Sequence, residues 1–339
     1  MTGKEEGGDA GAGADRSDAP PRQPAMPHFA VALTAPDLAP WRDGNTGLEG
    51  FTSFTGAEAG PHVVLMALTH GNEIAGAIVL DRVLRSGLRP ARGRLTFGFA
   101  NLAAFARFDP AQPTTSRFID EDLNRLWDTA VLDGHRRSVE LDRARAMRSL
   151  LEGADVLLDL HSMLWPSDPL ILSGVTPRGQ SLARAIGVPA LVVADGGHLS
   201  GRRMIDYGRF TDPAAQATAV LVEAGQHWQP DTVATTAASV EALLRHAGMI
   251  ADPAPAAAAG RFAEVTHVVT AATSGFAFVR AFRGGDVVAR RNTVIALDGD
   301  EEVRTPYDDC LLVMPSLRPS RGHTAVRLAR FAGALTAES

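Results

Sequence analysis

Three short apolar runs constrain this chain most: Val63 to Leu68, Asp155 to Leu160 and Ala219 to Val222. Each has the length of a strand, and none alternates in the way a strand with one wet face does. Such runs mark strands buried on both faces, which implies parallel neighbours in a sheet covered by helices. Each run also stops at a residue that carries chemistry. The first leads into Thr69-His70-Gly71-Asn72-Glu73, the second into His161 and the third into Glu223. In open α/β sheets that strand edge is where sites are built.

The intervening segments agree. Ile74, Ala77 and Ile78, set against Asp81, Arg82 and Arg85, give a helix with one apolar face that closes near Gly87. Residues 93–100 read as a strand weakened by Gly98. Residues 136–151 read as a charged helix with Val139, Met147, Leu150 and Leu151 toward the core. A short helix at 180–186, a strand at 190–194 and a helix at 233–246 continue the alternation. The expected fold class is α/β, a mostly parallel mixed sheet flanked by helices.

The domain reading follows composition. Residues 1–28, rich in Gly, Ala, Asp and Pro, read as a disordered tail. Residues 29–250 form the catalytic domain, and residues 251–260, with the run PAPAAAAG, a linker. Residues 261–339 change texture. Short strand-like pieces at 265–269, 275–282, 287–297, 303–305 and 311–313 predict a small C-terminal β domain, a barrel or sandwich.

Composition excludes several function classes. The chain has 339 residues, of which 45% are hydrophobic, enough for one large core or two smaller ones. A formal net charge of −6 supplies no basic footprint for nucleic acid. No apolar run approaches the ~18 residues of a membrane span. The tail lacks an apolar signal core, so the reading is a cytoplasmic protein. Cys310 is the single cysteine, which rules out an intrachain disulfide; its Asp-Cys-Leu-Leu-Val setting places it in the core. A homo-oligomer is left open.

Two imidazoles and one carboxylate are the usual protein ligands of a catalytic zinc, which makes His70, Glu73 and His161 candidate ligands. An isolated H-x-x-E is ordinarily a polar turn capping a helix; placement at a strand end, beside a glycine that permits a tight turn, raises its weight. Asp159 shares a strand face with His161 and is placed to hydrogen-bond a ligating imidazole. Glu223, at the end of a buried strand, is costly unless paired or useful, and it is the best candidate for the base of a zinc hydrolase. The segment from Arg117 to Arg125 is charge-dense. Arg117 suits an oxyanion, and Asn124 with Arg125 suits a carboxylate. The Gly-rich stretch 195–207 reads either as a site-lining loop or as an exposed one. His198 is a weaker candidate for an extra metal ligand.

The ordered set His70-x-x-Glu73, Asp122-Leu123-Asn124-Arg125, Asp159-Leu160-His161 and Glu223-x-Gly225 resembles the succinylglutamate desuccinylase/aspartoacylase family, zinc amidohydrolases related to zinc carboxypeptidases. The resemblance covers roughly residues 60–320, including the β segment after the linker. It implies a zinc carboxypeptidase-like fold with one zinc per chain, held by His70, Glu73 and His161. It also implies that Glu223 is general base and acid, that Arg117 polarises the scissile carbonyl, and that Asn124 and Arg125 grip a substrate α-carboxylate. The partner would be a small N-acyl substrate with a carboxylate. The sequence departs from aspartoacylase in residues 318–324, which lack the tyrosine of the acyl-aspartate pocket, and just upstream of Glu223, where no arginine matches. Arg202, Arg203 or Arg318 would then contact an anion on the acyl half, or the pocket takes a neutral acyl chain. The rival readings are a carboxypeptidase-like peptidase and a metal-free binding protein on the same scaffold.

Overall fold

The computed structural model describes residues 27–198, 200–251 and 260–332. The expected tail at 1–28 and linker at 251–260 therefore lie outside the described residues, apart from positions 27, 28, 251 and 260.

Strand β1 (Phe51–Thr55) is followed by β2 (Glu58–Ala67), which carries the first apolar run. Helix α1 (Ile74–Arg85), strand β3 (Arg92–Phe99) and two single-turn helices, α2 (Leu102–Phe105) and α3 (Thr129–Leu132), come next. The charged helix is α4 (Val139–Glu152), which feeds β4 (Val156–Met163). Strand β5 (Leu170–Leu172), helix α5 (Pro177–Ile186), β6 (Leu191–Ala194), β7 (Thr218–Gln226) and α6 (Pro230–His246) complete this part.

Strands β3, β2, β4 and β7 are neighbours in that order and pair in parallel, as do β5 and β6. The pairings of β1 with β3 and of β5 with β7 are antiparallel. The sheet is therefore mixed and mostly parallel here, the class expected. Val64 and Met66 of β2 pack in one cluster with Leu141, Met147 and Leu151 of α4, while α1 packs on β2 and β4. Burying each such side chain contributes about 1.5–3 kcal/mol, which is what holds helices against sheet.

Two local expectations need correction. Val139 faces solvent, because Ser138 caps the helix and the buried stripe runs through Leu141, Ala144, Met147 and Leu151. At 3.6 residues per turn, Val139 points about 200° away from Leu141. Gly98 does not weaken its strand. A Cβ there would meet Phe51 Cε1 at 2.4 Å, so the glycine leaves room for the β1 aromatic against β3.

After residue 260 come β8 (Arg261–Thr270), β9 (Ala277–Phe278), β10 (Val287–Val288), β11 (Val294–Asp298), β12 (Glu301–Arg304), β13 (Cys310–Val313) and β14 (Thr324–Phe331). Strand β8 pairs in parallel with β6, Leu191 opposite Arg261, and antiparallel with β14. Strands β14, β13 and β10 continue the same sheet, while β12, β11 and β9 form a separate antiparallel one. Phe282, Ile295, Tyr307, Cys310, Leu312, Val326 and Leu328 form a buried cluster, with Cys310 fully inside it. The expected piece at 275–282 shrinks to two paired residues, and that at 287–297 divides into β10 and β11.

This topology sets adjacent strands β2, β4 and β7 side by side with their carboxyl ends together. Their register places His161 directly opposite Glu223.

Candidate metal centre

Strand β2 ends at Ala67, and Leu68 turns the chain with φ 59°, a left-handed conformation that costs a non-glycine residue energy. Thr69 Oγ1 donates to Asp159 Oδ1 at 2.8 Å, which ties this turn to β4. Gly71 is required here by a close approach: a Cβ would meet the Ala104 carbonyl carbon and the Phe105 nitrogen, each at 2.5 Å. Glu73 is the N-cap position of α1, yet its carboxylate caps nothing and turns inward instead.

The two imidazoles converge on that carboxylate. His70 Nδ1 lies 2.7 Å from Glu73 Oε1, and His161 Nδ1 lies 3.0 Å from Glu73 Oε2. Ser162 N–H also donates to Oε2 at 3.0 Å. One ligand atom from each of His70, Glu73 and His161 lies within 4.8 Å of the other two, and all three residues are buried. Behind each ring stands a carboxylate. His70 Nε2 is 2.9 Å from Asp122 Oδ1, and His161 Nε2 is 2.8 Å from Asp159 Oδ2. The second pair is close but not aligned as a hydrogen bond, and both of its atoms lack another partner among the described residues. His70 Nε2 also lies 2.9 Å from Arg117 Nη2, so that nitrogen faces a donor as well as a carboxylate. The donor set and its backing thus fit a zinc ion.

The charges respond to this crowding. Burial pushes the Glu73 carboxyl up, but His70 and His161 outweigh it and hold Glu73 well below the usual carboxylate range. Burial pulls His161 down, but Asp159 and Glu73 outweigh it and raise it well above an ordinary histidine. Glu223 behaves in the opposite way. It is buried, its Oε2 has no hydrogen-bond partner among the described residues, and desolvation pushes it up to about 8. Glu73 and Asp159 add to that rise, while His161 and Arg117 oppose it.

The segment 117–125 forms the facing wall. Arg117 donates to Glu73 Oε1 at 3.1 Å and to Asp122 Oδ2 at 3.2 Å, and its side chain remains partly exposed to the pocket. Asp122 caps the short turn Leu123–Arg125 by accepting from Asn124 N–H at 2.8 Å. Asn124 Oδ1 accepts from Met204 N–H at 2.8 Å, so the amide presents its Nδ2 donors. Arg125 lines the same pocket, and burial pulls its guanidinium down to about 10. Glu140, fully buried in the first turn of α4, holds this segment in place. It accepts from Ile119, Asp120 and Glu121 N–H and from Asn101 Nδ2, at 2.7–3.2 Å.

The loop candidates divide. Arg203 lines the pocket, but Asp195 and Asp206 already engage it through four hydrogen bonds of 2.7–3.1 Å. Arg202 is exposed beside Asp128 at 3.3 Å, and neither it nor Arg318 lines the pocket. His198 lies 2.7 Å from Arg327 Nη2 and outside the His70–Glu73–His161 cluster.

Sequence reasoning missed several residues. The position of Asp122 behind His70, the role of Glu140, the Ser162–His227 contact at 2.7 Å and the reach of Arg327 to Asp195 at 3.0 Å depend on side chains meeting across distant segments. Of these, only Asp122 lay inside a recognised motif. Leu68, Trp228 and Met314 all have positive φ; Met314 lines the pocket, and the other two adjoin pocket-lining segments. Backbone strain of this kind clusters at functional sites.

Comparison with known proteins gives a consistent result. The family model of the succinylglutamate desuccinylase/aspartoacylase catalytic domain matches residues 59–247. Aspartoacylase of Xenopus tropicalis is 29% identical over 109 residues, 30% of this chain and 33% of that protein. A probable aspartoacylase of Parasynechococcus marenigrum (strain WH8102) is 31% identical over 138 residues, 38% of this chain and 44% of that protein. The chain thus spans less than half the length of these curated relatives. A solved structure of succinylglutamate desuccinylase from Vibrio parahaemolyticus superposes with a TM-score of 0.64 at 18% identity, covering 84% of this chain and 86% of that one, which shows a shared fold.

Proposed function

The chain belongs to the succinylglutamate desuccinylase/aspartoacylase family, and from that premise we propose that it is a zinc-dependent amidohydrolase removing the acyl group from an N-acyl amino acid or related amine. One observation carries the reading: donor atoms of His70, Glu73 and His161 lie within 4.8 Å of one another in the pocket that Glu223 lines, and Glu223 Oε2 has no hydrogen-bond partner among the described residues. Zinc bound there would supply Lewis acidity to the scissile carbonyl and to the attacking water. Glu223 takes a proton from that water and, as the carboxylic acid, returns it to the departing nitrogen, so that water and amide become a carboxylic acid and an amine. Burial suits this group to both tasks, because its acidity lies near neutrality instead of in the ordinary carboxylate range. Arg117 sits against His70 and Glu73 and places guanidinium donors where negative charge develops on the carbonyl oxygen. Asn124 Nδ2 and Arg125 hold a carboxylate on the amine half. Asp122 and Asp159 orient the two imidazoles.

The test is a panel of N-acyl amino acids and their carboxamides, assayed with the zinc-loaded protein and again after chelation. We expect about one zinc per chain, chelator-sensitive hydrolysis, and kcat/KM at least roughly tenfold lower for the carboxamides, the scale of a lost hydrogen bond to a charged group. Failure to retain zinc after loading would overturn the enzyme reading. Equal turnover of acids and amides would show that Asn124 and Arg125 do not read a carboxylate.

A further inference from the structure

Ser162 and His227 form a buried pair at the pocket that the steps above leave unused. Ser162 Oγ lies 2.7 Å from His227 Nδ1. Both residues line the pocket, and both are buried. The histidine is fixed in place on several sides. Its backbone N–H donates to the Met163 carbonyl at 2.7 Å. Trp228, held at φ 61°, stacks obliquely on the imidazole with ring centroids 5.0 Å apart, and its Nε1 donates to the Asn72 carbonyl at 2.9 Å.

Hydrogen-bond accounting then sets the tautomer. The Ser162 hydroxyl has a single proton and, among the described residues, a single hydrogen-bonding neighbour, so it donates to Nδ1. The reverse assignment would leave the hydroxyl proton without a protein acceptor among the described residues. The ring proton therefore resides on Nε2, which makes no hydrogen bond among the described residues. The ring is also neutral. Burial lowers its pKa to about 4, with Glu73 opposing and Arg117, His70 and His161 assisting.

We propose that His227 is a fixed, neutral hydrogen-bond donor to the substrate, its Nε2–H meeting an uncharged carbonyl or hydroxyl oxygen. The local chemistry favours an uncharged acceptor. Met163, Leu164 and Trp165 make the neighbouring wall apolar, whereas the carboxylate-binding donors lie on the 117–125 segment. The identity of the bound molecule rests on the deacylase reading; the tautomer does not.

Two measurements test this. In the zinc-loaded full-length protein at neutral pH, nitrogen-15 spectra should show His227 as the neutral Nε2–H form, its signal identified by its loss in His227→Gln. Ser162→Ala should let the Nδ1–H form appear. In turnover of N-acyl amino acids with uncharged acyl groups, His227→Leu should lose at least tenfold in kcat/KM. His227→Gln, which keeps a neutral donor near the same point, should stay within about threefold of the wild type, with an unchanged pH profile. An Nδ1–H tautomer or an imidazolium in the wild type overturns the proposal. So does a His227→Leu variant as active as wild type, or a His227→Gln variant as impaired as His227→Leu, since the ring would then be moving a proton. If His227→Leu fails to fold, the glutamine variant and the spectra still decide. A wild type that hydrolyses no N-acyl amino acid sinks the deacylase reading, while the tautomer measurement still decides this one.

Discussion

At the scale of single residues, the proposed ligand set and the proposed base should fail in different ways. His70→Ala or His161→Ala removes one of three protein donors from a cluster that has no fourth among the described residues. Zinc content by elemental analysis and activity should fall together, and retention of stoichiometric zinc would mean that the ligands are misassigned. Glu223→Gln keeps shape and polarity, so the protein should fold and hold zinc while kcat drops by about 10² or more. The same substitution has a signature in metal-free protein. The Glu223 carboxyl lies near 8 in the fold against 4.5 for the free group, so the unfolded chain ionises first as pH rises. The Glu223 contribution to wild-type stability therefore declines between about pH 4.5 and pH 8, and the glutamine variant is spared that decline. Denaturant titrations should show the variant gaining on wild type across that window by on the order of a few kcal/mol. A pH-independent difference would show that burial does not hold the carboxyl up.

Elements show why some of the molecule could be read in advance and some could not. Strands β2, β4 and β7 were legible because burial on both faces leaves an uninterrupted apolar run, and the residues closing those runs are the ones that meet at the site. Strand β14 escaped because Arg327 interrupts Thr-Ala-Val-Arg-Leu-Ala-Arg-Phe, and an arginine is tolerated in a buried strand only with a partner that the local sequence does not reveal. Strand β5 is three residues long, too short for any period to register. Glu140 was invisible for a similar reason: one acidic residue in a helix first turn looks like a dipole contact, whereas its use is to gather three consecutive backbone N–H groups from another segment. Glu140→Gln supplies one acceptor oxygen where two are used and turns an NH2 toward N–H donors. Hydrogen bonds to a charged group contribute about 1.5–3 kcal/mol each, so the melting temperature should fall. Because the loosened segment carries Arg117 as well as Asn124 and Arg125 but none of the three candidate ligands, kcat should fall and KM should rise together, with zinc stoichiometry kept. An unchanged KM would show that the segment holds its geometry without this carboxylate.

For the molecule as a whole, the described segments after residue 260 are strands, and four of them, β8, β14, β13 and β10, join the sheet that builds the site. The β6–β8 ladder is parallel and continuous from Leu191–Arg261 to Ala194–Glu264. Arg327 of β14 reaches Asp195, at the end of β6, at 3.0 Å, and the same carboxylate also binds Arg203. Met314, Pro315 and Ser316, which follow β13, line the pocket beside Glu223. The apolar side chains Leu191, Val192, Val193, Ala263 and Ala329 are all buried, and separating the two parts would expose them along an open strand edge. At roughly 25 cal/mol per Å² of apolar surface, and with a buried ion pair broken as well, that separation is strongly unfavourable. Composition could not reveal this, because a Pro- and Ala-rich stretch looks the same whether it joins two independent domains or two parts of one sheet. The division at residues 251–260 is therefore a proposal about sequence segments that can be tested directly. A specific protease site inserted between residues 252 and 259 allows the folded protein to be cut after purification. The nicked chain should elute as one species at full mass under native conditions, keep its zinc and separate only in denaturant. Its activity should survive, since the ladder that joins the two parts of the sheet stays paired. Two pieces that part on native chromatography, each with a cooperative melt of its own, would establish independent domains and refute the shared-sheet account.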